Sequence, residues 1–254
     1  LYKMNIKVFV ISGNHDSKDR LSFGNELFVD NGVYIEGVFS GNLKCVELED
    51  DIGKILIYML PFVKPYDVKG FYSDVEINSY NDAVKVIIDN TKIDKNVRNV
   101  IMVHQFVTAG GVDVERSESE SLSLGGIDNI DVSIFDDFDY AAMGHIHRPQ
   151  SCGRKKKRCA GSILKYSISE HLHKKSFTIV DVKAKENINI EEIPIELPHD
   201  VKVVKGEYEE ILSMDYCEDY VHIILTDENP YPDSRVTLRT VFPNMIKFTV
   251  ENSK

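Results

Sequence analysis

The stretch VFVISGNHDS, residues 8–17, joins a short apolar run to a polar turn rich in metal-ligand residue types. A continuous apolar run of this length suits a strand buried on both faces, as in a parallel sheet covered by helices. The pattern recurs in VIMVHQ at residues 100–105 and in YAAMGHIHR at residues 140–148. Ligands of such sheets gather beyond the carboxyl ends of the strands. We therefore expect the polar residues of all three stretches to meet at one edge.

The residue types at this edge indicate a metal site. Imidazole nitrogen suits zinc, copper, iron and nickel, whereas amide oxygen suits manganese, magnesium and calcium. The mixture favours intermediate ions such as manganese or iron, usually as a pair. The candidate ligands are all neutral side chains: Asn14, His104, His145 and His147. No carboxylate is among these candidate ligands to balance two divalent ions, so they show only part of a two-metal site.

The three motifs, in this order, resemble those of the calcineurin-like metallophosphoesterases. The segments at residues 12–17, at 144–150 (GHIHRPQ) and at 160–170 (AGSILKYSISE) resemble more closely the SbcD family of nuclease subunits. The similarity extends from about Lys7 to Glu251. The family begins with an Asp-x-His strand and a Gly-Asp motif, and neither is present in this chain. Because the first residue is Leu1, we expect the chain to be part of a longer product.

The alternation of strand-like and helix-like segments itself indicates an α/β architecture. The resemblance implies a two-sheet α/β sandwich of the calcineurin-like metallophosphoesterase type, followed by a small α+β capping domain. We place the first domain at residues 1–197, N-terminally incomplete, and the capping, DNA-binding domain at residues 198–254. The boundary follows the change of composition near Pro194 and Pro198.

The resemblance also assigns roles in the metal site. Asn14, His104 and His145 correspond to ligands of the second metal, and His147 to a ligand of the first. His15 would stabilise charge or protonate the leaving oxygen, with Asp16 orienting its ring. The implied reaction is two-metal hydrolysis by metal-bound hydroxide, with Mn²⁺ preferred and Mg²⁺ or Fe²⁺ as alternatives. We expect this chain to hold at most one ion; tight binding of two would point to carboxylates in residues 113–120.

By the same resemblance, the function is that of a DNA phosphodiesterase, an exo- or endonuclease, in double-strand-break repair and hairpin processing. The partners would be DNA, an SbcC-type ATPase subunit bound beyond Lys254, and a second copy of the subunit. Candidate DNA contacts are Arg148, Arg235, Arg239 and Lys247. We expect the chain alone to be inactive. Two alternatives stay open: a non-catalytic scaffold that binds DNA or a partner, and another calcineurin-like phosphoesterase acting on nucleotides or phosphoproteins.

Composition narrows the function classes. A net charge of −11 and a pI near 5.2 argue against a protein that coats nucleic acid non-specifically. No apolar run approaches the roughly 18 residues of a membrane span, and no signal peptide is visible. We therefore expect a cytoplasmic protein with no membrane partner and with its four cysteines reduced.

Several local patterns carry further predictions. Ser17 is placed to cap a helix that extends to about Phe28, with Leu27 on its apolar side. The loop at residues 106–126, with its Ser-Glu run, is either a solvated segment or faces substrate. The basic run at residues 154–158 is interpreted as a hairpin tip. The His171 and His173 pair is interpreted as exposed surface residues.

Overall fold

The computed structural model describes residues 2–110, 115, 117, 118, 120, 128–229 and 231–251, except for the side chain of Tyr2. Much of the Ser-Glu loop therefore lies outside the described residues. The first part of the chain contains β1 (Val8–Ile11), α1 (Lys18–Ser22), α2 (Glu26–Val29), β2 (Val33–Glu36), β3 (Lys44–Asp50), β4 (Gly53–Leu60), α3 (Pro65–Lys69) and α4 (Tyr80–Asp89). It continues with β5 (Arg98–Val103), β6 (Val107–Thr108), β7 (Ile130–Asp131), β8 (Tyr140–Met143), β9 (Gln150–Ser151), β10 (Lys157–Cys159), β11 (Ser176–Val182) and β12 (Ile188–Pro194). The last part contains β13 (Val201–Gly206), α5 (Tyr208–Leu212), β14 (Tyr220–Leu225), α6 (Ser234–Leu238) and β15 (Met245–Val250).

A six-stranded sheet in the order β3-β4-β5-β8-β10-β9 is the frame of the first part. Its inner strands β4, β5, β8 and β10 run parallel, and antiparallel strands close both edges. Val103 pairs with Leu60 on one side and with Met143 on the other. The carboxyl ends of β5 and β8 are therefore level, so the residues that follow both strands emerge at the same edge, as the apolar runs predict.

The first motif reaches this edge from a different sheet. β1 pairs in parallel with β2 alone, in a two-stranded sheet of its own. The carbonyl oxygen of Ser12 accepts a hydrogen bond from the Phe62 amide, just past the end of β4, at 2.9 Å. This bond ties the end of β1 to the carboxyl edge of the larger sheet. The polar turns converge although their strands do not share one sheet.

The core beside this sheet is built from β-branched and aromatic residues together with helix α4. The helix begins at a capping box. The Ser79 hydroxyl accepts a hydrogen bond from the Asp82 amide, and the Asp82 carboxylate accepts one from the Ser79 amide. Ala83, Val84 and Ile87 of α4 are fully buried. Burial of a Val or Ile side chain contributes about 1.5–3 kcal/mol, so this face holds the helix against the sheet.

Two local predictions are wrong. The helix expected from Ser17 to Phe28 is broken into α1 and α2, because Gly24 adopts a left-handed φ of +70° that ends a helical run. Leu27 is consequently exposed rather than packed on the sheet. The basic run is a solvated tip only in part, since Lys157 and Arg158 are buried in β10. They pair with Asp136 and Glu192 respectively.

The chain divides into two compact units. The first contains residues 1–116, 120–162 and 176–193; the second contains residues 117–119, 163–175 and 194–254. Residues 163–175, which precede β11, thus belong to the second unit. The single boundary predicted at residue 198 does not include this segment. Within this unit His173 is buried, contrary to the expected surface position, and Glu170 and Lys175 form a buried ion pair of 2.7 Å.

The second unit is α/β rather than α+β. Its three strands β13, β14 and β15 are all parallel, with α5 and α6 in the connections. Parallel neighbours require a crossover connection, usually a helix. Helix α5 is not predicted from the sequence, because five residues are too few to display helical periodicity. The chain as a whole is α/β with mixed sheets, and the two-sheet sandwich stays a prediction.

No helix in the described part of the chain is long and apolar enough to cross a membrane.

Candidate metal centre

The strand ends bring three predicted ligands together. His104 directly follows β5, and the Gly144 amide after β8 donates to the Val103 carbonyl at 2.9 Å. His145 then takes a left-handed φ of +74°, which ends the alternation of side chains along the strand. This irregular ending allows successive side chains to turn toward the same edge.

His104 contacts both neighbouring motifs. Its Nε2 lies 3.1 Å from the Asn14 side-chain oxygen, and its ring meets the His145 ring edge to face at a centroid distance of 5.6 Å. Asn14 and His104 are 90 positions apart in the sequence. An amide oxygen and two imidazoles therefore converge at the carboxyl edge of the sheet.

Two glycines make this approach possible. A Cβ on Gly13 would lie 2.9 Å from Cε1 and Nε2 of His104, and a Cβ on Gly144 would lie 2.7 Å from its Nδ1. Both distances are shorter than van der Waals contact. Glycine at positions 13 and 144 is thus required for the observed position of the His104 ring.

Both histidine rings are neutral at ordinary pH. Burial lowers the pKa of His104 from 6.5 to about 4, against the opposing effect of the Asp16 charge. Burial, followed by the neighbouring His104, lowers the pKa of His145 to about 4. A neutral imidazole has a free nitrogen lone pair, so low pKa values keep these rings available as ligands.

His15 and Asp16 of the first motif are exposed, whereas His104 and His145 are partly buried. His15 lies at the cavity described below, and the Asp16 carboxylate accepts the Gly13 amide at 2.6 Å. Among the described residues, Asp16 is bonded to this amide and not to the His15 ring. Asp16 therefore holds the turn, and its role in orienting His15 stays a prediction.

A cavity of about 290 Å³ opens beside these side chains. Its lining includes all four predicted ligands, His15 and one carboxylate; the residues are Asn14, His15, His104, Glu120, Gly144, His145, Ile146, His147, Gly161 and Ser162. Glu120 was not among the predicted site residues. It belongs to residues 113–120, the range expected to supply carboxylates if two ions bind, but its position in the Ser-Glu run does not distinguish it from Glu115 or Glu118.

The donor set fits a divalent ion in part. Nδ1 of His145 is buried and has no hydrogen-bond partner among the described residues, which is costly unless the nitrogen has a ligand. However, no group of three or more His, Cys, Asp and Glu side chains in the described ranges is arranged to hold a metal. The observed arrangement is one amide oxygen with neutral imidazoles, which matches an incomplete coordination sphere.

The candidate DNA contacts lie in both units. In the first unit, Arg148 pairs with Glu115. In the second unit, Arg235, Arg239 and Lys247 are exposed. The three cations of the second unit are thus exposed to solvent, whereas Arg148 of the first unit is paired with a carboxylate.

Sequence comparisons identify related proteins. Residues 197–253 match the family model SbcD_C, described as the type 5 capsule protein repressor C-terminal domain. The chain is 28% identical over 251 residues to the SbcD subunit of nuclease SbcCD from Staphylococcus epidermidis, covering 96% of this chain. It is 31% identical over 254 residues to the SbcD subunit of the same nuclease from Staphylococcus saprophyticus, covering 97% of this chain. The chain is a relative of the SbcD nuclease subunits.

The relationship concerns part of those proteins. The chain spans 65% of the length of each SbcD relative. The match to the SbcD_C model falls on the last strand-helix repeats, β13 to β15, and the motif residues fall before it.

Proposed function

We propose that this chain supplies the metal-binding part of an SbcD-type DNA nuclease subunit that hydrolyses phosphodiesters. The observation that carries the proposal is the convergence of Asn14, His104 and His145 at one sheet edge. The relatives' names, which describe nuclease subunits, support the substrate class. DNA, an SbcC-type ATPase and a second copy of the subunit are the partners that the proposal implies.

In this proposal Asn14, His104 and His145 hold one divalent ion, preferably Mn²⁺, and His147 contributes to the adjoining position. Such ions lower the pKa of water and neutralise the charge of a phosphodiester. His15, exposed at the cavity, donates a proton to the leaving oxygen.

Titration calorimetry with Mn²⁺ at neutral pH tests the metal part. We expect at most one ion per chain, with binding lost in His104→Ala. His171→Ala is the matched control, because it removes a half-buried histidine of the second unit. The proposal fails if wild type and His104→Ala bind Mn²⁺ equally, or if neither binds it.

One observation favours a second candidate function. The absence of a complete metal-ligand group among the described residues is also what a non-catalytic DNA-binding scaffold would show. The two are separated in a chain that carries Asp-x-His and Gly-Asp motifs supplied ahead of Leu1. Mn²⁺-dependent cleavage of duplex DNA by that protein, abolished by His104→Ala, supports the nuclease; binding without cleavage supports the scaffold.

A further inference from the structure

We propose that Glu120 is a positioning residue, which fixes the backbone of His147 at the wall of the metal cavity. One carboxylate oxygen of Glu120 accepts the His147 amide at 2.7 Å. Hydrogen bonds to a charged acceptor are roughly twice as strong as neutral ones. The two residues are 27 positions apart, so the bond joins two separate segments of chain.

The burial of Glu120 indicates a specific role. Glu120 is only 8% exposed, whereas the neighbouring acids Glu115 and Glu118 are exposed. Carboxylates are rarely buried without a compensating partner, because removal from water is costly. Among the described residues that line the cavity, Glu120 is the one acidic side chain. Glu120 therefore places a buried carboxylate next to the His147 backbone at the wall of the cavity.

The opposite side of His147 is held as well. The Ser162 amide donates to the His147 carbonyl at 3.0 Å. The preceding Gly161 has a φ of +81°, and a Cβ there would lie 2.6 Å from Cδ of Pro149. Glycine is needed at position 161 for this close approach. Glu120 at the amide and Ser162 at the carbonyl together fix the His147 backbone, leaving only side-chain torsions to set the ring.

The consequence for metal binding rests on the function proposed above. Groups that orient a metal ligand commonly change metal affinity by about 10–100-fold when they are removed. Glutamine retains an oxygen acceptor for the His147 amide but no charge, and alanine retains neither. Glu120→Gln should therefore stay within about threefold of the wild-type Mn²⁺ affinity, whereas Glu120→Ala should lose about tenfold or more.

Hydrogen exchange of the His147 amide, measured by NMR on the metal-free 254-residue chain, tests positioning without the metal. We expect a protected amide in wild type and in Glu120→Gln, and faster exchange in Glu120→Ala. Glu118→Ala is the control, since it removes an exposed carboxylate from the same run. Equal protection in wild type and Glu120→Ala overturns the proposal.

Mn²⁺ calorimetry on the same variants provides the second measurement. Equal losses of affinity in Glu120→Gln and Glu120→Ala overturn the positioning role, because they show that the charge itself acts on the ion. Loss in alanine alone supports it. If wild type binds no Mn²⁺ but the exchange result holds, the proposed metal function fails while the positioning of His147 stands.

Discussion

His15 and His104 are close in the fold but have different predicted roles. His15 is exposed at the cavity, whereas His104 is packed between Asn14 and His145. The test uses a chain that carries the Asp-x-His and Gly-Asp motifs ahead of Leu1. In that chain His15→Ala should lower turnover by about 100-fold or more with little change in metal content, as expected for loss of a general acid. His104→Ala should lose metal and activity together.

Metal content by elemental analysis and turnover on a small chromogenic phosphodiester provide the measurements. An exposed substitution away from special contacts changes stability by about 0.5 kcal/mol or less, so His15→Ala should fold normally. An empty site in His15→Ala would mean that this residue is a ligand.

The neutral state of His104 and His145 predicts a pH dependence of stability. Their pKa is about 4 in the folded chain and about 6.5 when unfolded, so the unfolded chain binds more protons between these values. Stability should therefore fall as pH decreases from about 6.5 toward 4, by at most about 1.4 kcal/mol per pH unit for each histidine. Asp16 faces His104 and Asp128 faces His145, and both charges oppose the lowering.

Urea unfolding at a series of pH values, with a chelator present, measures this slope. The double variant His104→Asn, His145→Asn should show a smaller decrease of unfolding free energy over this pH range. The paired aspartates Asp50 and Asp67 have pKa values below 3.8, so their contribution is lost at lower pH. An unchanged slope in the double variant would contradict the burial of neutral rings.

At the scale of elements, the end of the sheet opposite the metal centre depends on one arginine. Arg98 begins β5 and is 4% exposed. Its guanidinium donates to Asp50 at 2.9 Å and to the Val182 carbonyl at 3.0 Å, and it also donates to two carbonyls at the start of β4. It therefore joins the β3–β4 hairpin, β5 and the end of β11.

Arg98→Ala should destabilise the chain by about 3 kcal/mol, because several part-buried acceptors lose the one donor group that they share. Arg98→Lys should recover only part of this loss. Lysine keeps the positive charge, but its ammonium group lacks the forked arrangement of donors in a guanidinium. Urea unfolding provides the measurement. Lys85→Ala, which removes an exposed pair with Asp89, should change stability by about 0.5 kcal/mol or less. Similar effects of Arg98→Ala and Lys85→Ala would show that the buried contacts contribute little.

At the scale of the whole molecule, the negative net charge opposes DNA binding, so binding to DNA depends on local clusters of cations. Arg235 and Arg239 are spaced for one face of a helical segment, and both are exposed in the unit that matches the SbcD_C model. If each contacts a phosphate, the double alanine variant should weaken duplex binding and reduce the salt slope by about 0.9 per lost contact.

Fluorescence anisotropy with labelled duplex, repeated over a range of salt concentrations, measures that slope. Lys85→Ala is the control because it removes an exposed cation from the first unit. Mn²⁺ affinity should be unchanged in the double variant, because neither arginine lines the metal cavity. An unchanged salt slope would place the DNA contacts elsewhere.

The sequence by itself determined the elements that local patterns encode. Apolar runs predicted β1, β5 and β8, and the polar turns after them predicted the convergence of Asn14, His104 and His145. For β5 and β8 these features follow from strand burial and from the common edge of parallel strands. β1 is only half-buried and reaches this edge from its own two-stranded sheet. The α/β class follows in the same way.

Only the tertiary structure decided the features that join distant segments. These include the assignment of β1 to a separate sheet, the contact of Glu120 with His147, the Arg98 contacts and the burial of His173. In the sequence, Glu120 is flanked by serine on both sides, as is the exposed acid Glu118. In the fold, Glu120 is buried and its carboxylate accepts a hydrogen bond from the His147 amide, a partner 27 residues further on. A charged side chain stays buried only when such a partner is present, and the chain path decides which side chain meets it.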